Sequence, residues 1–403
     1  MISTVGVVDW STDLPGLTAA RIEFSLNDPQ AGELNVGGTA ALSISDGHAL
    51  MLGLKPARTY TYRIAATAGQ TVCVSPDHLL STQADPTAPT LMRVAGDAVT
   101  TRASGFIVTC TYGGRFAMVI DADGAVVWWI ASPPSCTRAH MDWDGNYMWM
   151  MSANASTGTV AGGINGDVER VRMDGTGREK LSGLAESHHD FAVLPGGTAA
   201  FLVVGDSGDT NVVERAADGT MTTVATLNAA FYGAPGGHPN ALRYYARDDS
   251  YTVSDLHLPG IVKMSRQGKL VWRADGISSA TSPCSDMSGA HGHELLDNGD
   301  LLFFKANYGG DSLDDPSPAC EYGLAQNGTA PMSTLVWSYA GTHSSLILGD
   351  VQRLSNGDTL VTYSTQGTIA EVTPAGGVVQ TLTYQNAQFG YSTFRESLYG
   401  PPQ

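Results

Sequence analysis

The sequence predicts an all-β protein: a small β-sandwich over residues 1–88, followed by a six-bladed β-propeller over residues 95–403. Three observations predict it. Charged residues make up only 15% of the chain and 47 residues are glycine, a bias toward half-buried strands and tight turns rather than helices. The first ninety residues alternate apolar and polar side chains in short runs, the period of strands with one buried face. The remainder repeats one hairpin pattern at a spacing of about fifty residues, the sign of a repeat architecture.

In the N-terminal part, the alternating runs are residues 21–26, 39–45, 48–54 and 60–67. The stretch LGLKPARTYTYRIAA, which begins at Leu52, combines a Leu-x-Pro corner with a Tyr-x-Tyr strand. It resembles the fibronectin type III hallmark, and the resemblance implies a buried tyrosine whose hydroxyl fixes the corner backbone. Such a unit reads as a spacer or docking domain, with His48 and His78 as ordinary surface histidines. Pro86 and Pro89 mark the linker.

Beyond the linker, one half-unit recurs as VLPGGTAAFLV from Val193, LLDNGDLLFF from Leu295, RLSNGDTLVTY from Arg353 and, more loosely, MDWDGNYMWM from Met141. A second half-unit recurs as VIDADGAVVWW from Val119, IVKMSRQGKLVW from Ile261 and IAEVTPAGGVVQTL from Ile369. An Asn-Gly, Asp-Gly or Gly-Gly pair between two period-two runs is a hairpin signal. Two hairpins make a four-stranded sheet. The first-half turns at Gly145, Gly197, Asp249, Gly299 and Gly357 lie 52, 52, 50 and 58 residues apart. Four-stranded units at this period describe propeller blades, and the length accommodates six. The DWDGN run at Asp142 reads as a hairpin turn. Trp128, Trp129, Trp272 and Trp337 end their hairpins, where inter-blade packing is expected.

Eight of the ten histidines fall in the repeat region. His189 and His291 each precede a hairpin glycine by eight residues, while His140 and His238 precede the first strands of their blades. The first strand of a propeller blade lines the central channel. His140, His189, His238 and His291 are therefore expected to converge at one mouth of that channel.

The blades between about His189 and Tyr363 resemble the bacterial arylsulfate sulfotransferase family. The resemblance is carried by HHDFAVLPGG, GHPNALRYYARDDSYTVSDLHLPGIVKM, HGHELLDNGDLLFF and GDVQRLSNGDTL. It implies a six-bladed propeller that moves a sulfuryl group from an aryl sulfate ester to a phenolic acceptor, with no cofactor. It further implies that His291 attacks sulfur to form a sulfohistidine, that His238 and Asn240 hold the sulfuryl oxygens, and that His189 assists. His140, His257 and Arg395 are the further candidates for substrate binding. One departure stands out: the family's oxyanion-binding arginine is replaced by Leu256 in the segment SDLH, where His257 follows. Arg395 and Arg243 are the candidate replacements.

Extra imidazoles, His188 beside His189 and His293 beside His291, open a second reading. His140, His189, His238, His291 and His293 would form a cage for Zn²⁺, Mn²⁺ or Fe²⁺, with a metal-bound water attacking a phosphate, sulfate or carboxylic ester and Asp190 or Glu294 accepting the proton. A third reading is a non-catalytic binding propeller that uses its rim.

The net charge of −17 argues against nucleic acid as a partner. No apolar run reaches the roughly 18 residues of a spanning helix, so a small-molecule ester is the expected partner, with no membrane span. The five cysteines show no Cys-x-x-Cys spacing; Cys284 and Cys320 flank a Ser/Pro/Asp-rich stretch that a disulfide would staple. An extracytoplasmic location is the expectation, although Met1 leads straight into a strand pattern without a signal peptide. Residues 278–288 and 309–330 are candidate lid segments. Asn154 and Asn327 match the glycosylation sequon.

Overall fold

The computed structural model describes residues 2–44, 47–98, 100–152, 166–205, 208–227, 237–256, 260–274, 283–307, 315–325, 332–385 and 387–402. Both sequons, His257 and, of the two candidate lid segments, residues 278–282, 309–314 and 326–330 lie outside the described residues.

The N-terminal part packs two sheets face to face. Strands Ala19–Leu26, Gly37–Leu42, Thr59–Ala68, Thr71–Val74 and His78–Ser81 make one sheet, and Gly6–Asp9 pairs with His48–Met51 in the other. Period-two alternation turns Ile22, Phe24, Leu26 and Tyr60 inward, against Val8 and Met51. The strand that begins at His48 ends at Met51, because the chain then turns through Gly53 at φ +79° into the Leu-x-Pro corner. Tyr60 is fully buried, and its hydroxyl accepts the Lys55 N–H at 2.8 Å. That bond is the corner restraint the Tyr-x-Tyr pattern implies.

The rest of the chain is a six-bladed propeller. Blades 2 to 5 are simple four-stranded meanders whose inner strands are Cys136–Met141, Ser187–Val193, Pro239–Tyr245 and Ala290–Leu295. Blade 6 runs outward from Asp350–Arg353 and gains a fifth, outermost strand, Met92–Ala95, from the linker. Blade 1 is closed from the other terminus: Phe106–Tyr112, Phe116–Asp121 and Val126–Ala131 receive Thr393–Arg395 as their inner strand. Gln352 of blade 6 exchanges hydrogen bonds with Phe394 and completes the ring. Both ends of the propeller segment are thus stitched into blades, which joins the first blade to the last.

Turn chemistry follows the repeat. Gly145, Gly197, Gly299 and Gly357 all have positive φ, and Asp249, in the equivalent turn of blade 4, is one of few non-glycine residues that share it, at φ +47°. Each interface between neighbouring blades holds its own apolar cluster. Phe201 packs toward blade 2 while the next residue, Leu202, packs toward blade 4; Phe303 and Leu302 divide in the same way between blades 4 and 6. Burial on both faces is why middle strands such as AAFLVV read as continuous apolar runs. Trp128 and Trp272 sit in these clusters, as expected for inter-blade packing.

Two disulfides brace the ring. Cys284–Cys320 joins the two cysteines that flank the Ser/Pro/Asp-rich stretch, and Cys110–Cys136, a pairing the sequence did not reveal, ties blade 1 to the inner strand of blade 2. The sandwich is anchored on the blade 1–2 interface. Leu52 enters the apolar cluster there, and Lys55 extends from the corner to Asp121 at 2.5 Å and Asp123 at 2.7 Å. Asp121 is completely buried, so its charge depends on that ammonium group.

Replacing Lys55 by Met strands a buried carboxylate at the docking surface. The expected loss is about 3–5 kcal/mol, the usual consequence of removing one partner of a buried pair. Urea unfolding of wild type and Lys55→Met measures it; equal midpoints would show that apolar packing alone seats the sandwich.

Candidate functional site

The channel is shaped by an irregularity shared by four blades. The inner strand slips register against its neighbour between Cys136 and Arg138, Ser187 and Phe191, Pro239 and Ala241, and Ala290 and His293. A bulge bends the strand and redirects its side chains. The slip is longest in blade 3, where His189 takes φ +59°, a conformation uncommon for a residue with a side chain.

Immediately past the bulges, four charges meet on the channel axis. Arg138 of blade 2 grips Asp190 of blade 3 through two hydrogen bonds of 2.6 and 3.0 Å. Arg243 of blade 4 bridges Asp190 and Asp350 of blade 6, each at 2.6 Å, and Asp350 lies 3.1 Å from Arg138. The ring closes with two positive and two negative charges. Tyr391 of the closing segment lies under Arg138, 4.7 Å from ring centroid to guanidinium. Blade 5 contributes Gly292 at this level, and the absence of a side chain is required: a Cβ there would stand 2.0 Å from the Asp350 carboxylate. Burial alone would raise the Asp190 pKa, but the two guanidinium groups hold it below the ordinary carboxylate range.

On the side where the inner strands begin, the structure brings together His189, His238, His291 and Asn240, with His188. His189 bridges two other imidazoles with its two ring nitrogens: Nδ1 lies 2.8 Å from Nδ1 of His188, and Nε2 lies 3.0 Å from Nε2 of His238. His188 in turn reaches the Thr210 hydroxyl at 3.2 Å. The result is a linear chain, Thr210–His188–His189–His238. Each neutral imidazole has one donor and one acceptor nitrogen, so such a chain conducts protons in either direction. His291 stands beside it with Nδ1 2.9 Å from the Gly289 carbonyl; the carbonyl accepts, so Nδ1 carries the proton and Nε2 carries the lone pair. The SD pair of SDLH braces both histidines: the Ser254 hydroxyl donates to the His291 carbonyl at 2.8 Å, and Asp255 accepts the His238 N–H at 2.9 Å. Asn240 donates to the Ala290 carbonyl at 3.3 Å, and its buried Oδ1 has no partner among the described residues. Leu256 is buried beside His238, to whose carbonyl its N–H donates at 3.0 Å.

The remaining candidates lie elsewhere. His140 is on the far side of the charge ring, lining a cavity at the opposite mouth with His293, Arg243 and Glu294. The spacing explains the difference: His140 stands five residues before its turn glycine, where His189 and His291 stand eight before theirs. Three residues of strand carry it about 10 Å along the channel. His293 is completely buried between blades, 2.7 Å from the Thr252 hydroxyl. The five imidazoles proposed as a metal cage therefore do not converge, and among the described residues no group of three His, Cys, Asp or Glu side chains is arranged to hold a metal ion. Arg395 donates to the carbonyls of Ser397 and Asp142 and to Gly400, and Arg243 belongs to the ring. Neither takes the place of the family arginine beside the histidines. Asp190, the other suggested proton acceptor, is held by two arginines.

Burial is the main cause of depressed basicity throughout the cluster. It pushes His188 down to about 3, with the nearby His238 adding to the shift, and His291 down to about 4 against the opposing Gly289 hydrogen bond. His293 falls to about 3 through burial and the Arg243 charge, and His189 and His140 fall well below their ordinary value. All rest neutral near pH 7. Between pH 6.5 and these folded values the unfolded chain binds more protons than the native one, so stability falls as acid is added. Glu294, raised to about 7 by burial, opposes this with one proton between pH 7 and 4.5. The histidines outnumber it. Urea unfolding at pH 7.5 and pH 5 is expected to show a clear loss at the lower pH, about 1.4 kcal/mol per pH unit for each net proton; an unchanged midpoint would contradict neutral burial of the cluster.

No family profile and no curated protein matches the chain. Among solved structures, a protein of unknown function from Bacteroides caccae is 13% identical, with coverage of 72% of this chain and 99% of that one and a TM-score of 0.50. Virginiamycin B lyase from Staphylococcus aureus is 12% identical over 75% of this chain and 99% of that one, with a TM-score of 0.46. At these identities the likeness is one of fold alone.

Proposed function

We propose that the protein is a sulfuryl transferase of the arylsulfate sulfotransferase kind, with His291 as nucleophile. The observation that carries this reading is the state of His291: neutral, its Nδ1–H held by the Gly289 carbonyl, and its Nε2 lone pair presented beside Asn240 and the imidazole chain. In the first half-reaction Nε2 attacks sulfur, the N–S bond forms, the S–O bond to the aryl group breaks, and the aryloxide leaves with the electron pair. In the second, an acceptor phenol attacks the same sulfur, its proton passes to His238, and the N–S electron pair returns to Nε2. His189 and His188 rest neutral, and the hydrogen-bonded chain His238–His189–His188 can take up that proton and pass it toward Thr210. Asn240 and the His238 ring supply hydrogen bonds to the sulfuryl oxygens where the family uses an arginine, since the ring nitrogens of His188 and His189 are engaged along the chain and the His291 N–H by Gly289.

Two disulfides support an oxidising, extracytoplasmic location. The Tyr60–Lys55 corner supports reading the N-terminal sandwich as fibronectin type III-like.

The test is turnover of an aryl sulfate, such as 4-nitrophenyl sulfate, with and without added phenol. Release of aryloxide is expected to rise with phenol, to survive chelators, and to fall at least about 10³-fold in His291→Ala. Activity lost to EDTA and restored by Zn²⁺ would instead assign the channel to metal-dependent ester hydrolysis, and no turnover at all would favour a binding propeller. Thr210→Val breaks the far end of the imidazole chain. It is expected to slow transfer to phenol by up to about 10²-fold and to reduce the solvent isotope effect, while Thr210→Ser restores both.

A further inference from the structure

We propose that the opposite mouth of the channel is a second site, which binds an uncharged saccharide independently of the histidine chamber. The cavity there measures about 800 Å³, within the range of small-molecule sites and roomy enough for a di- or trisaccharide. Its floor is the charge ring, which separates it from His189, His238 and His291. Its wall is one repeat position read around the propeller: His140, Ala192, Tyr244, Glu294 and Gln352 each stand five residues before the turn of their blade, and all line the cavity. Five consecutive blades thus present one level of side chains to the same space.

The chemistry of that level selects the ligand. Every arginine lining the cavity is neutralised by a carboxylate: Arg243 by Asp190 and Asp350, Arg353 by Glu321 at 2.5 Å, and Arg247 by Asp297. Among the described residues no cation lining the cavity is left over for a phosphate or sulfonate. Glu294, its pKa raised by burial to about 7, accepts the Arg353 backbone N–H at 2.7 Å and carries only part of a negative charge near neutral pH, a weak anchor for a cationic ligand. Hydrogen-bonding capacity does remain, since Nδ1 of His140 is buried with no partner among the described residues. An apolar face completes the set: Trp143, on the turn of blade 2, meets Tyr244 of blade 4 edge to face at 6.2 Å. Neutral donors and acceptors beneath an aromatic rim suit a molecule with hydroxyl groups on its edge and C–H bonds on its faces, which describes a sugar ring.

Titrating the full-length protein with cellobiose, maltotriose and chitobiose, read by tryptophan fluorescence and saturation-transfer NMR, tests this. At least one of the three is expected to bind at millimolar concentration or below, Trp143→Ala to weaken it about tenfold or more, and Glu294→Gln, which keeps a neutral hydrogen-bonding group, to change it by less than about threefold. His291→Ala is expected to leave the affinity unchanged, which separates this site from the sulfuryl-transfer reading. Circular dichroism establishes that each variant is folded. No response to any of the three sugars overturns the proposal, as does binding that Trp143→Ala leaves intact, or a preference for phenyl phosphate over all three.

Discussion

Two arginines and two aspartates closing on one another at the propeller axis set the terms for everything around them. Arg138, Asp190, Arg243 and Asp350 come from four different blades, and each has its partner only if all four inner strands are in register. A slip of one residue in blade 3 would replace Asp190 by Phe191 or His189 and leave the Arg138 and Arg243 guanidinium groups without that carboxylate. Buried ion pairs contribute little net stability against well-packed apolar residues, yet a broken one is costly. The ring therefore acts less as glue than as a register gauge. Gly292 and Tyr391 are part of the same device: one vacates the space that the Asp350 carboxylate crosses, and the other supplies an aromatic face beneath Arg138.

The ring also divides the channel chemically. Its charges cancel, so neither chamber inherits a strong field from the floor, and the imidazoles on both sides are governed by burial. The small residual effects differ by side. Arg138 and Arg243 further depress His140 and Arg243 does the same to His293, whereas His189 feels chiefly the other imidazoles. One chamber becomes a connected chain of imidazoles. The other holds His140 and Glu294 among arginines already paired with carboxylates, beneath an aromatic rim.

Much of the architecture was legible in the sequence because turn glycines and strand alternation are local signals. The hairpin glycines, the blade period and the Tyr60 corner all follow from a few neighbouring residues. The site was only half legible. Counting eight residues back from Gly197 and Gly299 finds His189 and His291, but grouping His140 with them ignores its shorter count. Part of the ring follows the same arithmetic: Arg138, Asp190, Gly292 and Asp350 all stand seven residues before their turn glycine, whereas Arg243 stands six before Asp249 and breaks the pattern. The bulges carried no such signal. They fall at residues as different as Cys136–Arg138 and Pro239–Ala241, and the Cys110–Cys136 pairing, which joins two blades, carried none either.

The substitution at Leu256 is best weighed against the charge the chamber would have to accept. A site whose donors are neutral imidazoles and one amide stabilises a monoanion by hydrogen bonding alone, and it does so inside a chain of net charge −17. A dianion such as a phosphate monoester would meet the same donors with twice the repulsion and no guanidinium to offset it. An aryl sulfate carries a single negative charge, spread over three oxygens, and on attack at sulfur the growing charge moves outward to the aryloxide rather than accumulating at the donors. If the proposed sulfuryl transfer holds, leucine at 256 in place of an arginine would narrow the compatible esters toward monoanions with good leaving groups. Within the sulfuryl-transfer reading, the neutral chamber is a basis for selectivity rather than a defect.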